Sequence, residues 1–464
     1  MAATVIHDAT IVTVDDVDAV HHGAAIAIAG DRIAAIGPSR EILANYPGAE
    51  TIDGRARMVM PGFANVHTHL TMTLARGVFE DLSPPHRPPF TGGLSPIPLP
   101  RLTPEEQRTM ARLGALEALR SGTTLALEDG VNVGDYAEAL AATGMRFMLG
   151  VRAFDRIGTE IGDPAPYQLD RALGQRHLRA IEDTFRRCNG KADGRLGVAV
   201  SAWAPDMCSP ELLRELRELQ RKLGAHATIH LNQIWGEVAA VRAHRNRLPT
   251  EYLAELGFLN ERLICAHCRC MEPHEEKLLG AARVTVSFNS AIAARRGLSP
   301  RIAELEAHGC NIAMGSDNMA EDMVEVMRTG LFMERVRRAD GRQPTPEQAL
   351  RWATRNGYRA LGIADSGWLA PGNKADLIVV DLERAHLVPV LRAVSDFVHN
   401  GQARDIGSVM VDGKWLMRDG KVLTIDEPAL LAEAQQVARA AWSRQFRARL
   451  DLKPPAGFVP DALP

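Results

Sequence analysis

Two histidines one residue apart, His67 and His69, carry the first chemical signal in this 464-residue chain. They directly follow the apolar run Phe63-Ala-Asn-Val. In an extended strand, residues i and i+2 point the same way, so two imidazoles at that spacing can grip one ion from one side of a sheet. Alone, such a pair is a weak signal. Its company strengthens it. His230 ends the run Ala227-Thr-Ile, His267 ends Leu263-Ile-Cys-Ala, and Asp317 follows Ile312-Ala-Met-Gly. Five imidazole and carboxylate side chains at the ends of four separate apolar runs point to a divalent cation site.

The elements that must position these residues follow from those runs. Short apolar stretches begin at Gly62, Thr123, Arg146, Leu196, Ala227, Leu263, Val284 and Ile312, and helical patterns separate them. Near-continuous apolar strands alternating with helices imply a parallel sheet covered on both faces. Eight such units predict an α/β fold, a (β/α)8 TIM-type barrel, whose active site lies at the C-terminal ends of the strands. Thr103-Pro-Glu-Glu and Thr345-Pro-Glu-Gln read as capped helix starts. The two ends of the chain differ. Residues 4–14, 24–28 and 32–36, and again 376–381, 408–414 and 421–425, read as short strands with Gly-Asp and Asp-Gly turns. The expected organisation is a composite β-sandwich from both termini (1–57 and 375–427), a metal-dependent barrel (58–374), and a C-terminal helix with a Pro-rich tail (428–464). Residues 83–100 hold seven prolines. Following the first barrel strand, this segment is expected to be a lid or pocket wall. His86 within it reads as solvated. The tail, with four prolines after Asp451, reads as an extended arm for a neighbouring subunit.

The segments Pro61-Gly-Phe-Ala-Asn-Val-His-Thr-His, His230-Leu-Asn-Gln-Ile-Trp-Gly-Glu-Val, Ala266-His-Cys and Gly315-Ser-Asp-Asn resemble the metal-site motifs of the amidohydrolase superfamily. More narrowly they resemble its ATZ/TRZ branch of triazine hydrolases and cytosine, guanine and S-adenosylhomocysteine-type deaminases. Ala375-Asp-Leu-Ile-Val-Val-Asp and Val411-Asp-Gly-Lys-Trp extend the resemblance to the terminal pieces. It implies that His67, His69, His230 and Asp317 ligate one metal, with His267 near the attacking water and the substrate. Ala199-Val-Ser-Ala-Trp203 stands where binuclear relatives carry a bridging lysine, so a single ion is expected. Three imidazoles and a carboxylate suit zinc first, with cobalt, iron or manganese also compatible. Such an ion lowers the pKa of water from about 15.7 toward 7. Asp317 can then take a proton and pass it to the leaving group, and His267 can polarise the attacked carbonyl.

This sequence departs from the branch at three places. Its deaminases carry a glutamate where Gln233 stands, and an amide cannot deliver and reclaim a proton. Glu237, matching a second family acid, reads as a helix-face carboxylate. Trp203 and Phe288 occupy positions where relatives commonly carry histidine, which predicts a drier pocket than a nucleobase needs. Asn318 could touch substrate or shape its loop. Arg152 could contact a substrate carbonyl or pair with Asp155. The expectation is a mononuclear hydrolase of a non-peptide C–N bond (amide, urea or (thio)carbamate) in a small, largely apolar substrate. Branch members that cleave phenylurea or thiocarbamate herbicides look like the nearest analogues. The alternative is a deaminase or dechlorinase of an aminated heterocycle, and a binding protein that lost catalysis is opposed by the intact donor set.

Composition excludes other classes. Hydrophobic residues make up 46%, charged residues 24%, and net charge is −3, with no basic footprint for nucleic acid. The six cysteines, three of them in Cys265-Ala-His-Cys268-Arg-Cys270, read as reduced and buried rather than as disulfides or a thiolate zinc site. No apolar run approaches membrane-spanning length. No secretory leader is expected, and the expected setting is cytoplasmic, with a small-molecule substrate and a homo-oligomeric assembly.

Overall fold

The computed structural model describes residues 3–79, 97–158 and 160–458. Five strands lead the chain: β1 (Thr4–Val12), β2 (Val20–Ala29), β3 (Arg32–Pro38), β4 (Glu50–Asp53) and β5 (Arg57–Pro61). The next eight are β6 (Phe63–Thr68), β7 (Thr123–Gly130), β8 (Arg146–Ala153), β9 (Leu196–Ala202), β10 (Ala227–Leu231), β11 (Leu263–His267), β12 (Thr285–Phe288) and β13 (Asn311–Met314). They close in parallel into a barrel, β13 pairing back onto β6. All eight apolar runs are barrel strands, because a strand covered on both faces must be apolar throughout. The composite β domain is one nine-stranded mixed sheet. β14 (Leu377–Asp381), β15 (Ile406–Val411), β16 (Lys414–Arg418) and β17 (Lys421–Val422) complete it. The two chain ends join where β14 runs antiparallel to β5, from Leu377 opposite Pro61 to Asp381 opposite Arg57. β5 thus belongs to the sheet, and the chain crosses into the barrel at Gly62. A Cβ there would lie 2.1 Å from Thr124 Oγ1, so only glycine passes.

The local signals act as their chemistry requires. Thr103 and Glu106 form a reciprocal cap on the helix Pro104–Arg120. Thr345 accepts from the Gln348 N–H at the start of Pro346–Ala353. The described part of the C-terminal tail does not extend as an arm. It folds back on its own chain, with the Phe458 ring 5.3 Å from Phe446 and 6.2 Å from Trp442. Those rings lie on the helix Glu427–Ala448, where burying them against Leu74 and Met110 removes more apolar surface from water than an extended tail would. Residues 83–96 of the expected lid, His86 included, lie outside the described residues. Among the described residues, no helix is long and apolar enough to cross a membrane.

Candidate metal centre and substrate cavity

His67 and His69 leave β6 on the barrel interior, and the neighbouring strand ends complete the cluster. Ring centroids of His69, His230 and His267 lie 4.7, 4.8 and 5.3 Å from that of His67. Asp317 Oδ1 is 3.6 Å from His69 Nε2 and 3.9 Å from His67 Nε2, and its Oδ2 is 3.7 Å from His267 Nδ1. The backbone fixes this register. The Asp317 N–H donates to the His67 carbonyl (3.0 Å), and the His69 N–H donates to the Asp317 carbonyl (2.7 Å). Behind it, Asn65, Thr68 and Ser316 all donate to the buried Glu321 carboxylate, tying β6 to the loop after β13.

A cation suits these residues, and the hydrogen bonds say why. His69 Nδ1–H donates to the Asp129 carbonyl at 2.8 Å, and His230 Nδ1–H to the Trp203 carbonyl at 2.7 Å. Each ring is thereby held with a bare Nε2. These two lone pairs face each other at 3.2 Å with no proton to share. Both nitrogens of His67 are buried without a hydrogen-bond partner. Such a group is costly unless an electrophile occupies the space between them. Burial holds His67 and His267 well below the ordinary imidazole value, and His230 down at about 3. Neutral imidazoles are the form a metal binds.

His267 is oriented differently. Its Nδ1 accepts from the Asn289 amide at 3.1 Å, and the Ser287 hydroxyl fixes that amide through Asn289 Oδ1. The ring therefore carries its proton on Nε2, which is buried and unpartnered. An N–H donor here can serve a reacting oxygen. The backbone at His267 (φ 82°) and Asp317 (φ 71°) is left-handed. Non-glycine residues there cost about 1–3 kcal/mol each and persist where surrounding structure enforces them.

A cavity of about 190 Å³ opens over His69, His230 and Asp317. Gln233, Trp203, Asn318 and Arg152 line it, as do Ile97, Pro98 and Leu99 from the end of the expected lid. Phe288 does not. Alternation along β12 turns its ring outward, 6.5 Å from the Trp352 ring and against Gly330 on the helix Met323–Arg338. Asn289, the next residue, faces His267 instead. Glu237 is also away from the cavity: its carboxylate accepts the backbone N–H groups of Asn232 and Gln233, closing the loop after β10. Arg152 pairs with Asp129 (2.7 Å), not Asp155, which instead holds Ser209 at a helix start. Burial alone would raise the Asp129 pKa, but Arg152 together with His230 and His69 outweighs it and holds the carboxylate at about 2.

Asp129, Asn289, Arg269 and Arg296 escaped sequence reasoning. Asp129 belongs to the same cluster as His67, His69 and His230. Its position at the end of β7 was a usable signal. Arg269, two residues beyond His267, lines the cavity with Arg296. The lining therefore mixes apolar side chains with Arg152, Arg269, Arg296 and Glu160, less uniformly dry than Trp203 and Phe288 suggested.

The chain belongs to the amidohydrolase family, whose model matches residues 58–416. Residues 24–49 match an imidazolonepropionase-like composite domain of bacteria. Among curated relatives, a 5-methylthioadenosine/S-adenosylhomocysteine deaminase of Pelotomaculum thermopropionicum is 33% identical over 96% of this chain and 100% of its own. A 5'-deoxyadenosine deaminase of Methanosarcina barkeri is 32% identical over 96% and 99%. The fold matches a zinc-bound adenosine deaminase from Xanthomonas campestris (TM-score 0.83, 23% identity, 94% of this chain and 98% of that one). It equally matches the zinc complex of atrazine chlorohydrolase from Arthrobacter aurescens (TM-score 0.83, 20% identity, 94% and 100%). The chain is thus an enzyme of a metal-dependent family acting on carbon–nitrogen bonds other than peptide bonds.

Proposed function

We propose that this enzyme hydrolyses an amide, urea or (thio)carbamate bond of a small substrate with a substantial apolar part. His67, His69, His230 and Asp317 would hold one divalent cation, zinc first, with cobalt, iron or manganese as alternatives. When bound, the cation supplies Lewis acidity, acidifying water and polarising a carbonyl. The chain's own groups do the rest. Asp317 takes the proton of the attacking water and hands it to the departing nitrogen as the C–N bond breaks. His267, its ring set by Asn289, donates its Nε2–H to the oxygen on which charge develops. Trp203, Phe79, Ile161 and Leu99 enclose the apolar part of the substrate and exclude water.

The observation that carries this reading is Gln233. It lines the cavity, and the nearby Glu237 is committed to the loop, so neither offers a proton to a ring nitrogen. Attack on an aromatic heterocycle needs such protonation. Attack on a carbonyl needs only a proton on the leaving nitrogen, which Asp317 can supply.

The deaminase relatives favour a second reading, deamination of an adenosine-like heterocycle. Product analysis separates the two. Zinc- or cobalt-loaded protein is incubated with phenylureas, carbamates, thiocarbamates and anilides, and separately with adenosine derivatives. The first reading expects release of an organic amine from at least one of the former and no ammonia from the latter. Ammonia from the adenosine derivatives alone would establish the second.

A further inference from the structure

We propose that Arg269 forms a carboxylate-binding subsite in this cavity, so that the substrate carries an anionic group beyond its scissile bond. The inference rests on the proposed hydrolase reading for the bond cleaved, but not for the subsite itself.

Arg269 is 8% exposed, and its Nε and Nη1 are buried without any hydrogen-bond partner. A guanidinium carries five N–H donors and no acceptor, and a buried one without acceptors is costly. Structural arginines in this chain show the contrast. Arg146 is also nearly buried, but Asp376 and Asp412 accept hydrogen bonds from its Nε and Nη2. Arg152 has Asp129. For Arg269, no carboxylate lies within ion-pair distance among the described residues.

The side chain is nevertheless aimed at the cavity, whose lining it shares with Asp317, Gln233 and Arg296. Its backbone is firmly held. The N–H groups of Arg269 and Cys270 both donate to the Asn232 carbonyl, and the Asn232 amide returns a bond to the Cys270 carbonyl. The guanidinium therefore stands on a rigid turn, as a preorganised recognition group should. Burial lowers its pKa to about 10, which leaves it charged at neutral pH.

An Arg fork matches the two coplanar oxygens of a carboxylate. Trp203, Phe79, Ile161 and Leu99 line the same cavity and take the apolar body. The substrate class is thus an amide, urea or carbamate whose aromatic or aliphatic body bears a carboxylate.

Two measurements test this. In the first, benzoate, phenylphosphonate and the neutral isostere benzamide are titrated by calorimetry into wild-type, Arg269→Met and Arg269→Lys proteins. Each is measured metal-loaded and after chelation, with circular dichroism as the folding control. Benzoate should bind wild-type protein at least about tenfold more tightly than benzamide, with or without metal. Arg269→Met should abolish that preference and Arg269→Lys restore part of it. A preference seen only with metal present, or retained in Arg269→Met, overturns the proposal. So does a wild-type protein that favours neither ligand, whatever the variants do. Tighter binding of phenylphosphonate than of benzoate would overturn the assignment to a carboxylate. In the second, ring-carboxylated anilides and phenylureas are compared with their neutral parents. The ratio of kcat/KM, carboxylated over neutral, should exceed one in wild type and collapse toward one in Arg269→Met, mainly through KM. Arg269-dependent benzoate binding without cleavage of any such compound would sink the hydrolase reading and leave the subsite standing.

Discussion

At the scale of single residues, His69, His230 and His267 are told apart by what holds the Nδ1 of each ring. His69 and His230 are fixed by backbone carbonyls, whereas His267 is fixed by an amide. That difference separates the proposed ligands His69 and His230 from the proposed donor His267. His230→Ala should therefore lose bound metal, measured by elemental analysis after dialysis, while Gln233→Glu should keep it. Equal loss in both would contradict the roles. Glu128 gives a pH signature. It accepts the Leu70 N–H and the Tyr136 hydroxyl in a buried pocket, and burial pushes its pKa up to about 8 from 4.5. The folded state then binds a proton that the unfolded state has released. The associated stability is present below the unfolded value and lost as pH rises through about 8. The slope is at most about 1.4 kcal/mol per pH unit. Glu128→Gln, nearly the same shape, should flatten the fall of the urea midpoint as pH rises across that window. An unchanged profile would assign the slope to another group.

At the scale of elements, the barrel strands were readable because each is an uninterrupted apolar run, and the proposed ligands were readable because they end such runs. The outward turn of Phe288 was not. β12 is four residues long, and a motif comparison places a residue in line without saying which face of the pleat it takes. Asn289 and Arg269 lie just past strand ends, where period-two reasoning stops and the backbone turn decides direction. The joining of β14 to β5 was legible only as two β-rich ends, since nothing local sets the register of strands so far apart in the chain. The crossing between sheet and barrel supplies its own test. Gly62→Ala would push a methyl group into the Thr124 side chain. Overpacking of that kind costs about 1–3 kcal/mol. Chemical denaturation should show the loss, and pairing with Thr124→Ser, which removes the methyl within 2.3 Å, should recover part of it. No loss would mean that the crossing is looser than its packing indicates.

At the scale of the whole molecule, barrel and sheet are welded by one buried ionic cluster. Arg146, the first residue of β8, reaches into the sheet. Its Nε donates to Asp376 at 2.6 Å and its Nη2 to Asp412, while Lys374 donates to Asp412 at 2.8 Å and Tyr358 to Asp376 at 3.3 Å. Asp376 lies just before β14 and Asp412 in the turn between β15 and β16, so a single barrel side chain grips two parts of the sheet. Because the charges are desolvated, removing one partner strands the others, at about 3–5 kcal/mol, although the intact cluster contributes little net stability over an apolar replacement. Arg146→Met should therefore lower the unfolding midpoint sharply. Arg146→Met combined with Asp376→Asn should cost less than the sum of the two single changes, since the second removes a charge the first has orphaned. The site should feel this only indirectly. β8 carries Arg152, six residues on, which holds Asp129 beside His69 and His230. If the weld serves only to join the two domains, metal content will survive in Arg146→Met, and scanning calorimetry will show the sheet melting ahead of the barrel. A single unfolding transition with simultaneous metal loss would instead mean that sheet, barrel and metal centre form one cooperative unit, with Arg146 setting the position of β8 for all three.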